Sequence, residues 1–234
     1  IWLEEVKGEK ALEWVKSQNA TTEAELKTDP LYKPLLEEAL AILTAQDRIP
    51  TPSFRGDGID NFWQDPRSVR GTWRRTTLDS YRSEKPKWQT VLDIDALARS
   101  ERANWIYKGA DCLPPEEQLC LVSLSDGGKD AVVVREYDVA AKRFVRDGYS
   151  LPEGKHRVTW LDKNNLLVAT DFGPGSLTES GYPFIVKTLL RGEELARRED
   201  NARVGRIRHR EEAVAAAQAR PVLVQDAIGR PAGA

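Results

Sequence analysis

Residues 119–138 read LCLVSLSDGGKDAVVVREYD: two apolar runs rich in Leu and Val around an Asp-Gly-Gly-Lys-Asp centre. Short apolar runs bounded by turn residues predict strands, and glycine tolerates the positive backbone angles that a tight hairpin needs. The same signal recurs on both sides. Downstream lie RFVRDGY, HRVTW, NLLVATDF and FIVKTLL, with a Lys163-Asn164-Asn165 turn between VTWLD and LLVATD. Upstream lie FWQD, TWRRTT, WQTVLD and WIYKG. From Phe54 to Gly192 this predicts about ten antiparallel strands.

Residues 1–47 carry a different period. Ala11, Leu12, Trp14 and Val15 form one apolar stripe at helical spacing, and Leu36, Ala39, Leu40 and Leu43 form another. Thr22 with Glu25 predicts a capping box that opens a helix, which Pro30 interrupts. Ile49-Pro50-Thr51-Pro52 ends the helical region.

A break in composition follows residue 192. All eighteen aromatic residues and all thirteen Lys precede Glu193, whereas residues 193–234 hold eight Arg, no Lys and no aromatic residue. The net charge is −3 over residues 1–192 and +1 beyond. Neither part has the basic excess that a nucleic-acid binder uses to displace phosphate counterions. With 40% apolar residues, no stretch approaches the length of a membrane-spanning helix. The N-terminal IWLEEVKGEK lacks the basic flank and apolar run of a signal peptide, although the first residue is Ile and an upstream segment stays open. The expected location is cytoplasmic. Cys112 and Cys120 are accordingly expected as buried, reduced thiols. The stretch EEAVAAAQAR (211–220) has helical propensity, but residues 193–234 as a whole are expected to be poorly ordered.

Several strings together resemble the prolyl oligopeptidase family of serine peptidases, in the N-terminal part of its bacterial members. IWLEEVKGEKALEWVKSQNA is similar to the family's first helix. FWQDPRSVRGTWRRTTLDSYR, WQTVLDIDALARSE, LVSLSDGGKDAVVVREYD and FVRDGYSLPEGKHRVTWLDKNNLLVATDFGPGSLTESGYPFIVK follow in family order. The resemblance runs over residues 1–192 and stops there. It implies a helical segment, then a seven-bladed β-propeller that restricts entry to short peptides, then an α/β-hydrolase domain with a Ser-His-Asp triad. A propeller blade takes roughly 40–50 residues in four strands, so residues 54–192 supply about three. The expected fold is mainly β with N-terminal helices. It comprises a helical segment (1–53), a partial, about three-blade propeller of antiparallel four-stranded blades (54–192) and an aberrant tail (193–234).

No residue is expected to be catalytic, cofactor-binding or metal-binding. An α/β-hydrolase nucleophile sits in G-x-S-x-G, and the nearest string, Gly148-Tyr149-Ser150-Leu151-Pro152, reads as a strand-connecting loop. Gly173-Pro174-Gly175-Ser176 lacks the Lys-Ser/Thr ending of a phosphate loop and reads as a turn. His156 reads as an ordinary strand residue, and His209 lies in the aberrant tail. Asp57, Asp60, Asp65 and Asp79 lack calcium-loop spacing and read as solvated turn carboxylates. Arg70, Arg74 and Arg75, interleaved with Trp73, read as strand residues paired with nearby acids.

The expected function is therefore that of the propeller region of a prolyl oligopeptidase-family serine peptidase. The full-length parent would cleave short peptides after Pro, with the hydrolase domain as intramolecular partner, and this chain alone would be inactive. A changed reading frame near codon 192 would account for the switch to Arg, Ala, Gly and Pro. The competing expectations are a stand-alone propeller-like module that binds peptide or protein, and complementation by a separately encoded hydrolase half. No cofactor, nucleic acid or membrane partner is expected.

Overall fold

A computed structural model of the chain describes residues 2–5, 8–45, 47–193 and 195. It divides into two compact units between Ile49 and Pro50. The residues expected to form the aberrant tail, His209 among them, lie outside the described residues apart from Glu193 and Leu195.

The first unit holds helices α1 (Glu9–Leu26) and α2 (Tyr32–Thr44), preceded by a single 3-10 turn, Trp2–Glu4. Ala11 is the one buried position of α1, beside an edge-to-face contact of Trp2 with Trp14 at 6.4 Å and the Lys10 ammonium 4.8 Å above Trp2. The expected capping box is absent, because Thr22 lies inside α1. Nothing in Ser17–Glu25 breaks a helix, and Thr21 Oγ1 donates to the Ser17 carbonyl one turn back, at 3.2 Å. The apolar stripe of α2 forms as expected but buries nothing: Leu36, Leu40 and Leu43 are 53%, 58% and 72% exposed.

The second unit is three antiparallel sheets. The first runs β1 (Ser53–Arg55), β2 (Gly58–Asp65), β3 (Ser68–Thr77) and β4 (Gln89–Asp93), in that order. Two short helices attend it, α3 (Leu78–Tyr81) and α4 (Ile94–Glu101). Each has a side-chain cap: Thr77 Oγ1 accepts from the Ser80 amide, and Asp93 Oδ1 accepts from the Ala96 amide. The second sheet runs β5 (Trp105–Cys112), β6 (Leu119–Asp126), β7 (Val132–Asp138) and β8 (Arg143–Phe144), with β9 (Ser150–Gly154) also on β7. Because β8 pairs with Tyr137 and Asp138 while β9 pairs with Val132 to Arg135, the two share one edge as an interrupted fourth strand. Residues 150–152 are thus strand rather than connecting loop: Leu151 pairs with Val134 and is buried. The third sheet is β10 (Arg157–Asp162), β11 (Asn165–Ala169) and β12 (Val186–Leu190).

The decisive hairpin forms as read: β6 and β7 are joined through Gly127 and Gly128, at φ +74° and +89°. The β10–β11 turn is built differently. Neither Lys163 nor Asn164 takes a positive φ; instead the Asp162 carboxylate accepts from the Asn164 amide at 2.7 Å and from the Asn165 side chain.

The apolar residues on both faces of β6 have a specific cause. On one face, Cys120, Val122 and Leu124 join Trp73, Leu92, Ile94 and Tyr137 in a core with the first sheet. On the other, Leu121 joins Val134, Leu151, Trp160, Leu166, Val168 and Leu189 in a core with the third. Successive strand residues point to opposite faces, so a strand sandwiched between two neighbouring sheets carries apolar residues on both faces, while the buried Ser125 hydroxyl is satisfied by donating to the Lys129 carbonyl at 2.7 Å. Each fully buried side chain of this kind contributes about 1.5–3 kcal/mol. Three sheets stacked face to face, each core shared with the next, are consecutive blades of a propeller.

Candidate functional site

The polar groups of the second unit concentrate at the two sheet junctions and on the outer face of the first sheet. Asp60 is buried and accepts from Trp73 Nε1 at 2.9 Å and from Arg75 Nε and Nη2 at 2.5 and 3.1 Å, with Arg55 Nε at 3.6 Å. It is therefore the hub of an ion cluster and not a solvated turn carboxylate. The register places it: Asp60 faces Arg75 across the β2–β3 ladder. The other three aspartates behave otherwise. Asp57 and Asp79 are exposed, and Asp65 closes the β2–β3 turn by accepting from the Arg67 and Ser68 amides at 2.9 Å, which holds its carboxyl below the usual range. Among the described residues no group of three His, Cys, Asp or Glu side chains could hold a metal ion.

Within the Arg70–Arg75 string, Arg75 pairs with Asp60 as expected, whereas the Arg70 guanidinium donates to the Trp105 carbonyl and it is the Arg70 backbone amide that donates to Asp95. Arg74 departs from the expectation. It lies on the outer face between the Trp63 and Trp88 indoles, 4.4 and 4.3 Å from their ring centroids, and its Nε donates to Asn61 Oδ1 at 2.8 Å. Its partners are rings and an amide, an arrangement in which guanidinium stacks well. Burial pushes its pKa down.

At the second junction the Arg191 guanidinium binds the buried Glu136 carboxylate through two parallel hydrogen bonds of 2.8 and 2.9 Å. It also donates to the Lys163 carbonyl and lies 4.6 Å from the Tyr149 ring centroid. Glu136 accepts in addition from the Tyr149 amide. The hydrogen bonds to Glu136 raise the pKa of Arg191, and burial pushes the Tyr149 phenol up to about 12. The Tyr149 hydroxyl is buried without a hydrogen-bond partner.

His156 Nδ1 lies 2.7 Å from Thr170 Oγ1 and its Nε2 2.6 Å from the Pro152 carbonyl oxygen, so both ring nitrogens are engaged. Burial lowers its pKa. Ser150 is exposed on β9. Ser176 is buried, donates to the Gly173 carbonyl at 2.6 Å and accepts from the Phe172 amide at 2.9 Å. The Gly173–Ser176 turn does not present a phosphate cradle, because the Asp171 carboxylate accepts from the Gly173 amide at 2.8 Å. The turn reading of that string is correct.

The thiol reading is not. Cys112 and Cys120 are opposite one another in the β5–β6 register and form a disulfide. Eight residues of separation hide this adjacency, because the β5–β6 connection turns back on itself between them. Disulfides belong to oxidising compartments, so the cysteines give no support to a cytoplasmic location. Among the described residues no helix is long and apolar enough to cross a membrane.

The Asp60 cluster and the Arg191–Glu136 pair thus lie at the sheet junctions, and the disulfide joins β5 to β6 within the second sheet. Comparison with known proteins gives the context. The family model for the prolyl oligopeptidase N-terminal beta-propeller domain matches residues 1–181. An uncharacterized peptidase of Sinorhizobium fredii is 52% identical over 195 residues, covering 83% of this chain and 27% of that protein. An uncharacterized peptidase of Rickettsia prowazekii is 32% identical over 202 residues, covering 83% and 28%. Among solved structures, that of a post-proline cleaving enzyme from Rickettsia typhi is similar with a TM-score of 0.76 and 32% identity, over 87% of this chain and 30% of that one. The chain spans a little over a quarter of the length of the curated relatives it matches.

Proposed function

Since this chain belongs to the prolyl oligopeptidase family, as its N-terminal β-propeller region, we propose that it is the blade-bearing part of a serine-type peptidase that cleaves short peptides after Pro. In this reading the chain positions and screens substrate in the whole enzyme, and a hydrolase domain outside residues 1–192 supplies the nucleophile, base and oxyanion donors. Alone, it does not hydrolyse peptides, and the composition break after residue 192 marks where the family sequence is interrupted. The 32% identical post-proline cleaving enzyme supports the reading of specificity.

The observation that carries this reading is the engagement of His156. An imidazole that acts as base needs one nitrogen facing a hydroxyl nucleophile and the other oriented by an acid, whereas His156 spends both on Thr170 and a backbone carbonyl. The exposed leucine stripe of α2 fits the same reading, since an apolar helix face of that extent calls for a covering partner. A fluorophosphonate probe, which labels activated serines, tests it. The account expects no labelling of the chain and stoichiometric labelling of a full-length family member run in parallel. Labelling of a serine in this chain would overturn it.

A further inference from the structure

We propose that the Cys112–Cys120 disulfide is a reducible clamp that holds the β5–β6 loop against the β1–β2 turn. The bond closes the mouth of a loop, residues 113–118, at the last pair of the β5–β6 ladder. The ladder already sets the register of these two strands, from Trp105↔Asp126 to Asp111↔Leu121, so strand pairing does not depend on the cross-link. What depends on it is the loop's conformation. Beside the disulfide, the Leu113 amide donates to the Leu119 carbonyl at 2.8 Å and the Glu117 amide to the Leu113 carbonyl at 2.9 Å. Glu117 takes a left-handed conformation at φ +49°, unusual for a residue with a side chain.

That conformation delivers the Glu117 carboxylate to the first sheet. Its Oε2 accepts from the Gly56 amide at 2.7 Å, across 61 residues of sequence. Gly56 is in the β1–β2 turn at φ +54°, and the neighbouring Arg55 donates to the Ala110 carbonyl, two residues before Cys112, at 2.8 Å. Strand β1 has only three residues, none of them buried. Beyond the short ladder to β2 and the Arg55–Asp60 contact, the β1–β2 turn is tied to the second sheet by these two polar contacts, of which the one to Glu117 ends on the loop that the disulfide closes.

The partner this device fits is a dithiol reductant. One of its thiolates attacks a cysteine sulfur, the S–S bond breaks, and a mixed disulfide forms as the other cysteine leaves as thiolate. The second thiolate of the reductant then displaces the remaining cysteine. Both cysteines take up protons from water, and the reductant departs as its own disulfide. Cys112 is 4% exposed and Cys120 fully buried, so attack requires the loop to lift. Docked loop and oxidised pair, undocked loop and reduced pair, are thus coupled states, and a reducing compartment loosens β1 while leaving both sheet cores in place.

Hydrogen exchange of the full 234-residue chain, oxidised and after treatment with dithiothreitol, tests this. Alkylation before reduction should find no free thiol, and after reduction two. On reduction, amides in 53–58 and 113–119 should exchange about tenfold faster, as for a local opening, with 165–169 of the third sheet unchanged. The Cys112→Ser/Cys120→Ser variant should reproduce the reduced pattern without reductant; if it does not fold, the wild-type comparison stands alone. Free thiols in the untreated chain, no change at 53–58, or equal acceleration in the third sheet would each overturn the clamp.

Discussion

Replacing Arg191 with Ala should weaken the junction between the second and third sheets, and the size of the effect follows from what the guanidinium holds. The substitution removes two charge-assisted hydrogen bonds to Glu136 and leaves that carboxylate, 1% exposed, with only the Tyr149 amide as donor at 2.8 Å. It also frees the Lys163 carbonyl and uncovers one face of Tyr149. Breaking a buried pair by removing one partner costs about 3–5 kcal/mol. The Arg191 side chain is itself 25% exposed, so water can reach the vacated space and the loss falls at the lower end, about 3 kcal/mol. With a urea m-value of about 2 kcal/mol/M, the unfolding midpoint should fall by about 1.5 M. Tryptophan fluorescence follows it, because Trp160 belongs to the same core. The cost comes from stranding a charge, so the double replacement Arg191→Leu/Glu136→Leu should recover at least about 1 kcal/mol of it. A midpoint for Arg191→Ala within about 0.5 kcal/mol of the parent, or a double variant as unstable as the single, would refute the reasoning.

The same logic applies to Asp60, where Asp60→Asn turns an amide donor toward Arg75 or the Trp73 indole and should cost about 2–4 kcal/mol by urea denaturation. Asp57→Asn, three residues earlier on the exposed β1–β2 connection, should stay within about 0.5 kcal/mol. Alkaline pH should destabilise the fold in a defined window. Burial raises the Tyr137 and Tyr149 phenols from 10.0 to about 12, so the unfolded chain loses these protons first; the stability they contribute is present below pH 10 and is lost as pH rises toward 12. Tyr149→Phe should flatten that slope in urea midpoints taken from pH 8 to 11 without loss at pH 8, since its hydroxyl has no partner, whereas Tyr137→Phe should cost about 1 kcal/mol through its bond to the Val91 carbonyl.

Strands were legible because β6 and β7 carry the apolar runs Leu119–Val122 and Val132–Val134 and their turn holds Gly127-Gly128, a local signal that needs no knowledge of neighbours. Helix α4 also carries a local signal: Asp93 is a cap residue, and Ile94, Leu97 and Ala98 follow at helical spacing. Strand β9 escaped because Pro152 and Gly154 are turn residues in isolation, and only pairing with Val132 to Arg135 makes SLPEG extended. The capping-box pattern at Thr22 misled because the same residue types are tolerated inside a helix when neither Gly nor Pro stops it. The junction chemistry could not be read at all. Glu136 and Arg191 are 55 residues apart, and Arg74 meets Trp63 and Trp88 only through the register of three strands. Cys112 and Cys120 become neighbours only because a six-residue loop returns the chain to its own ladder.

The central claim is that this chain carries blades of a family peptidase without its chemistry. Turnover of a chromogenic peptide with Pro before the scissile bond tests it most directly, measured for the purified chain beside a full-length family member at equal concentration. The account predicts a rate at buffer background for the chain and ready hydrolysis by the longer protein. Hydrolysis by the chain well above background, surviving repurification and abolished by a serine-directed inhibitor, would contradict it.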